Sequence, residues 1–273
     1  RPPARAGRMS TDGVVVGADG GLLRIVLDRA PARNALRAVD MHRITAAVTD
    51  AVDGGATRAI LIRSVGPHFS AGADIVSVNA PGAERPVTGG LIRAVRAGAN
   101  RMIQTLWDCP LPVVVALQGR AMGLGAHLAL TADVIVAAEG ASFVEPFAGL
   151  GFAVDSGGTW LLTRRVGIGP ATQVLLRGKP LDARRGHELG VVDEVVADAD
   201  LAAQAVRIAA DLAAGPTLAL SATKGLLRRG LSTGLAAALE CELVAVELTV
   251  RSSDFKEGIA AFGQRRRPEF TGR

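Results

Sequence analysis

Tyrosine is absent from this 273-residue sequence, and aromatic residues of all kinds make up 3 %. Stacking platforms for nucleobases are therefore scarce. Lysine is nearly missing as well, since Lys179, Lys224 and Lys256 are the only three among 31 basic residues. The basic residues are scattered, so the net charge of +5 reads as a generally basic surface suited to an anionic small ligand. Two cysteines, Cys109 and Cys241, are too few for a disulfide framework and fit a reducing compartment. His42, His68 and His187 are isolated, and no spacing matches a zinc motif, so no metal is expected. No apolar run reaches the roughly 18 residues of a membrane span. The most apolar region, 111–138, is broken by Gln118, Arg120, His127 and Asp133.

What is present is a chain with 49 % hydrophobic and 21 % charged residues, enough for one large domain or a domain with an appendage. Residues 1–12 lack periodicity and any apolar signal-peptide core, and read as disordered. Met9 is a candidate start after an extraneous leader, and a transit peptide is the weaker alternative.

From 13 to 28 the pattern predicts a hairpin around Asp19-Gly20-Gly21. A helix over 39–53, a strand over 58–64 and a mobile Gly/Pro/Ala-rich loop over 77–90 follow. A helix over 91–108 is stopped by Pro110, and a buried strand runs over 112–117. Beyond it come a helix at 124–131, strands at 133–137 and 142–144, and helices at 159–166, 170–177 and 183–189. A last strand is predicted over 191–196. From 201 onward the chain reads helical throughout (201–214, 217–229, 234–251, 254–262). This order suggests an α/β core over 13–200 with an appended helical region over 201–273.

Two glycine-punctuated turns stand at the ends of apolar strands. They are Phe69-Ser70-Ala71-Gly72-Ala73-Asp74 and Ala121-Met122-Gly123-Leu124-Gly125-Ala126-His127. Glycine lets the main chain approach a ligand closely, and free N–H groups at a helix start can hold developing negative charge. Two such turns aimed at one point make an oxyanion hole. Neither is diagnostic alone, and neither carries the Gly-Lys-Ser/Thr ending of a nucleotide P-loop.

In this order and spacing, the pair resembles the crotonase (enoyl-CoA hydratase/isomerase) superfamily. Further matches are Leu27-Asp28-Arg29-Ala30-Pro31-Ala32-Arg33-Asn34-Ala35-Leu36, Asp155-Ser156-Gly157-Gly158-Thr159, the stretch from Asp254 to Phe262, and the tail from Arg266 to Arg273. The resemblance covers nearly the whole chain from about Gly13. It implies an α/β fold with a right-handed ββα spiral core and a C-terminal helical trimerisation region. The protein would then be a cytoplasmic homotrimer or dimer of trimers acting on acyl-CoA thioesters. Coenzyme A would be part of the substrate, with no separate cofactor, no nucleic acid and no membrane as partner.

By the same resemblance, the N–H groups of Ala73 and Leu124 bind the thioester oxygen. Relatives usually have glycine where Leu124 stands; its side chain is expected to shape the acyl pocket. Family hydratases place one glutamate three residues after that donor and a second after the next strand. Here those positions are His127 and Phe147, so both carboxylates of the usual hydratase mechanism are gone. Glu145 lies two residues out of register.

Asp155, eight residues beyond Phe147, matches the aspartate of relatives that move double bonds. One carboxylate can remove a proton from one carbon and return it two carbons away. Asp155 is thus either the base or an N-cap on the helix beginning near Gly157. His127, one turn after Leu124, either orients substrate, assists proton transfer, or fills space with a hydrogen bond. The acyl-CoA is expected along Ala32, Arg33, Asn34 and Ala35 and along Ala71, Gly72, Ala73, Asp74 and Ile75, with Phe147 shaping the site. Lys256 and Arg265 are candidates for the nucleotide end, or are solvated surface. The favoured reading is an enoyl-CoA isomerase, with a hydratase using Asp155 and His127, or a catalytically silent acyl-CoA-binding homologue, as alternatives.

Overall fold

The computed structural model describes residues 13–75 and 87–273. The segment expected to be disordered, 1–12, and most of the loop expected over 77–90 lie outside the described residues. Strands β1 (Gly13–Asp19) and β2 (Leu22–Asp28) form the expected hairpin. Gly20 and Gly21 both take positive φ (57° and 80°), as a two-residue hairpin turn requires.

Helix α1 (Ala38–Asp53) leads to β3 (Ala59–Ser64), which pairs parallel with β2. The expected single helix over 91–108 is three pieces: α2 (Gly90–Val95), a π turn (Arg96–Asn100) and α3 (Arg101–Asp108). Gly98 lies in that turn, where a Cβ would come 3.2 Å from the Met41 sulfur of α1. The wide turn and the missing side chain let the two helices close on each other.

Strand β4 (Val113–Leu117) is buried throughout, as a central parallel strand covered on both faces must be. After it come β5 (Arg120–Met122), α4 (Leu124–Leu130), β6 (Val134–Ala138), β7 (Ser142–Val144), α5 (Phe147–Leu150), α6 (Gly158–Val166) and α7 (Ile168–Leu175). Then follow β8 (Leu181–Asp182), α8 (Ala183–Glu188), β9 (Glu194–Val196), α9 (Leu201–Ala214), α10 (Thr217–Gly230), α11 (Leu235–Thr249) and α12 (Ser253–Gln264). The main sheet has six strands in the order β1-β2-β3-β4-β6-β9, parallel except for the β1–β2 edge. A second sheet, β5-β7-β8, stands beside it. The strand expected over 191–196 shortens to Glu194–Val196, because Val191 and Val192 are used in packing α8 instead.

Helix α9 lays Leu201, Ala205, Ala209 and Ala213 on the sheet, and the small alanines permit a close approach. Helix α10 is fixed through a buried charge cluster. Lys224 bonds Leu111 O and pairs with Asp133, which also takes Arg228 and the Val113 N–H. Burial pushes the Lys224 ammonium below the usual lysine range, and Asp133 opposes that shift. The Asp133→Ala variant strips both cations of their carboxylate and is expected to cost about 3–5 kcal/mol. Urea unfolding would report the loss, and adding Lys224→Met is expected to recover part of it.

Arg228 also covers the Trp107 ring at 4.2 Å, and Trp107 meets Trp160 of α6 edge-on at 4.8 Å. Arg164 covers the far tryptophan at 3.6 Å. Helix α11, by contrast, has no buried residue.

Candidate active site

The two glycine turns meet at the carboxyl ends of β3 and β4. Ser70 and Ala121 form a parallel bridge, with Met122 N–H bonded to Ser70 O at 2.9 Å. Gly72, at φ 86°, faces the second turn so closely that a Cβ would lie 2.6 Å from Met122 O and 3.3 Å from Leu124 N. Gly125 is as tight against Ser70, where a Cβ would come 2.7 Å from the serine Cβ. These contacts need both glycines, and they bring residues 73 and 124 side by side.

The donors are free by construction. Leu36 bonds to Gly72 O and Asp74 N, on either side of Ala73. Backbone alternation therefore turns the Ala73 N–H away from Leu36. Leu124 opens α4, and the first four N–H groups of a helix have no acceptor inside it. Leu124 does this without a positive φ, because the preceding Gly123 (φ 47°, ψ −118°) takes the unusual angles. Glycine at 124 is thus unnecessary. Its side chain, expected at the acyl pocket, is buried in the apolar core.

The turn expected to carry the acyl-CoA is held to the first glycine turn by Ala71 N–H to Arg33 O at 2.8 Å. Ala32 ends a short 3-10 turn and Arg33 follows in the left-handed region, exposed. Asn34 anchors the turn from inside through Val65 O, His68 O and the Arg29 N–H. Asp74 is nearly buried and pairs with Arg29 at 2.7 Å, and the same guanidinium reaches Ala35 O. Ile75 is exposed. Lys256 lies exposed on α12 and Arg265 at its end, and no hydrogen bond or ion pair ties either to these turns among the described residues.

His127 is wholly buried, at 0 % exposure. Its Nε2 faces the Glu145 carboxylate at 3.2–3.3 Å, and Glu145 itself is 2 % exposed. The carboxylate accepts, so Nε2 carries the hydrogen and Nδ1 is the atom left without a partner. An unpaired buried polar group costs about 1–3 kcal/mol. The imidazole lies parallel to Phe147 (3° between planes, centroids 5.7 Å apart), and Phe147 packs behind Gly123. At the same Nε2 end the ring touches α6, where a Cβ on Gly158 would come 2.1 Å from Nε2. Glu145 was the residue the sequence undervalued; two residues off the expected register, it has no motif to announce it.

Asp155 does not cap α6. The cap is Gly157, without a side-chain bond, and Asp155 gives only its carbonyl to Gly158 N–H at 3.1 Å. Ser156 and Gly157 both take positive φ (47° and 82°) to make that turn. The Asp155 side chain is exposed, with no hydrogen bond or ion pair among the described residues.

The sequence profile of the enoyl-CoA hydratase/isomerase family matches residues 17–273. The chain belongs to that family. Its crotonase fold is shared with the crystal structure of an enoyl-CoA hydratase from Polaromonas sp. JS666 (TM-score 0.87, 30 % identity, covering 94 % of this chain and 99 % of that one). A Rhodobacter capsulatus protein named "probable enoyl-CoA hydratase" is 38 % identical over 93 % of this chain and 95 % of its own. The 1,2-epoxyphenylacetyl-CoA isomerase of Escherichia coli is 35 % identical over 93 % and 96 %. The enoyl-CoA hydratase/isomerase family acts on acyl-CoA thioesters, and its relatives here include both hydratases and isomerases. Among the described residues no helix is long and apolar enough to cross a membrane, and no cluster of His, Cys, Asp or Glu suits a metal ion.

Proposed function

We propose that this family member is an enoyl-CoA isomerase that shifts a double bond with Asp155 as its single base. The carrying observation is the fate of the carboxylates. Glu145 is buried against His127, whereas Asp155 is exposed and unpartnered. Addition of water needs a positioned water and usually two groups, but a proton shift needs one.

In the proposed reaction a 3-enoyl thioester places its carbonyl oxygen on the Ala73 and Leu124 N–H groups. Asp155 takes a proton from C2, and the electron pair spreads into a dienolate whose oxygen charge the two donors meet. The Asp155 acid then returns the proton at C4, which leaves the 2-enoyl thioester. The thioester supplies the electron sink, so no cofactor enters this scheme. Ala32, Arg33, Ala35, Ala71, Gly72, Asp74 and Ile75 are proposed to line the CoA path, largely through backbone atoms, and Phe147 to back the acyl end. Lys256 is proposed to serve the nucleotide end of a neighbouring subunit's ligand.

The test is to give purified protein a 3-enoyl-CoA and a 2-enoyl-CoA separately and identify the products. Conversion of the first to the 2-enoyl ester supports the isomerase; hydration of the second alone overturns it. The hydratase reading draws on the Rhodobacter capsulatus relative, but the burial of His127 counts against its sharing the water with Asp155. Binding without turnover would mark a silent homologue.

The assembly proposed is a homotrimer, alone or paired as a hexamer, in the cytoplasm, with the helices beyond 200 at the subunit contacts. The support is the uncovered apolar face of α11, where Leu235, Leu239 and Leu243 are half or more exposed. Sedimentation should give a particle of three or six chains, and Leu239→Glu with Leu243→Glu should yield monomers.

A further inference from the structure

Resting on the roles given above to Leu124 and Asp155, we propose that Glu145 is a positioning residue. Through His127 it holds the oxyanion donor and the base in one fixed relation. Four contacts carry this assignment, three on the imidazole and one on the main chain of His127. Glu145 fixes the ring plane through Nε2 at 3.2–3.3 Å. The ring's face lies parallel to Phe147, whose Cε2 and Cζ back the Gly123 turn just before Leu124. Its Nε2 end abuts Gly158, whose N–H holds the Asp155 carbonyl at 3.1 Å. The His127 N–H bonds Gly123 O at 2.9 Å, which closes the circuit to the donor turn.

The two halves that must cooperate, Leu124 at the start of α4 and Asp155 before α6, thus share one side chain as their spacer. The far ends of the same two helices are tied as well, since the Arg165 Nε of α6 bonds Leu130 O at the end of α4. The spacer end therefore decides how donor and base sit relative to each other. Neither Glu145 nor His127 has solvent-accessible side-chain surface worth noting (1 % and 0 %), so neither is placed to exchange protons with substrate. Charge on Glu145 is not required for this role; an acceptor oxygen for Nε2–H is.

The test compares wild type with Glu145→Gln, Glu145→Met and His127→Leu/Glu145→Met. All are assayed on whichever enoyl-CoA, 2- or 3-unsaturated, the wild type turns over. Glu145→Gln keeps an acceptor and should retain most of kcat. Glu145→Met should lose about 10–100-fold in kcat with KM and acyl-CoA Kd unchanged, since small misplacement of reacting groups is costly. Because Glu145→Met leaves Nε2–H buried and unpaired, it is the variant at risk of not folding. The double variant removes the buried polar pair entirely; it should fold, melt no lower than Glu145→Met, and still show the kcat loss.

Wild-type kcat in the double variant would overturn the assignment. So would a Glu145→Gln as impaired as Glu145→Met, which would make the carboxylate itself a proton carrier. A rise in KM at unchanged kcat, or a wild type inactive on both esters, would equally sink it. The wild-type product decides the isomerase reading separately, whichever way the ratios fall.

Discussion

Asp155→Asn is expected to lower kcat on a 3-enoyl-CoA by about 10²–10⁴-fold, the range a positioned general base contributes. KM and the Kd for a saturated acyl-CoA should stay near wild type, because the amide keeps the side chain's shape. Stability should change little as well. The carboxylate is exposed, has no bond to lose, and does not cap α6. That combination makes the variant clean: a kinetic loss cannot be blamed on a disturbed fold. Product analysis by chromatography of the CoA esters is the measurement. Full isomerase activity in Asp155→Asn would move the base elsewhere and end the single-carboxylate reading.

The second large effect belongs to Gly72→Ala. The residue sits at φ 86°, where a side chain is strained by about 1–2 kcal/mol, and its added Cβ would meet Met122 O at 2.6 Å. Both obstacles are backbone, so the methyl has nothing flexible to displace. The two turns must part, and with them the Ala73 and Leu124 N–H groups. Loss of one such donor lowers kcat by about 10²–10³-fold, and that is the expected outcome here. Gly20→Ala is the control. It also has positive φ (57°), but nothing lies within 4 Å of its Cβ. It should lose about 1 kcal/mol of stability and no activity. Equal kcat in the two variants would show that the contact between the turns does not set the donors.

What could be read ahead of the structure was local. The hairpin at Gly20 and Gly21, the parallel strands and the two glycine turns each announce themselves within about ten residues, through turn chemistry and unbroken apolar runs. Of the second sheet, only β7 was legible, as the strand expected at 142–144. β5 is three residues and β8 two, too short for any period to show. Yet the β5–β7 pairing, Met122 against Val144, is what carries Glu145 to within reach of His127 across 18 positions. A pair made by tertiary register leaves no trace in either segment alone. The π turn in the long helix was hidden for the same reason, since the residue Gly98 packs against there, Met41, is on another element. Asp155 was legible as a residue but not in its role; Ser156 and Gly157, turning left-handed beside it, leave the N-cap position to Gly157.

The two tryptophans of the chain stand edge to face, and the sequence has no tyrosine. Ultraviolet emission from this protein therefore arises at one spot rather than as an average over the molecule. That spot includes Trp160, five residues after Asp155 on the same turn-and-helix unit, with a guanidinium over its ring. A ligand that settles beside Asp155 thus alters the surroundings of the native fluorophore, and occupancy there can be titrated optically with no label attached.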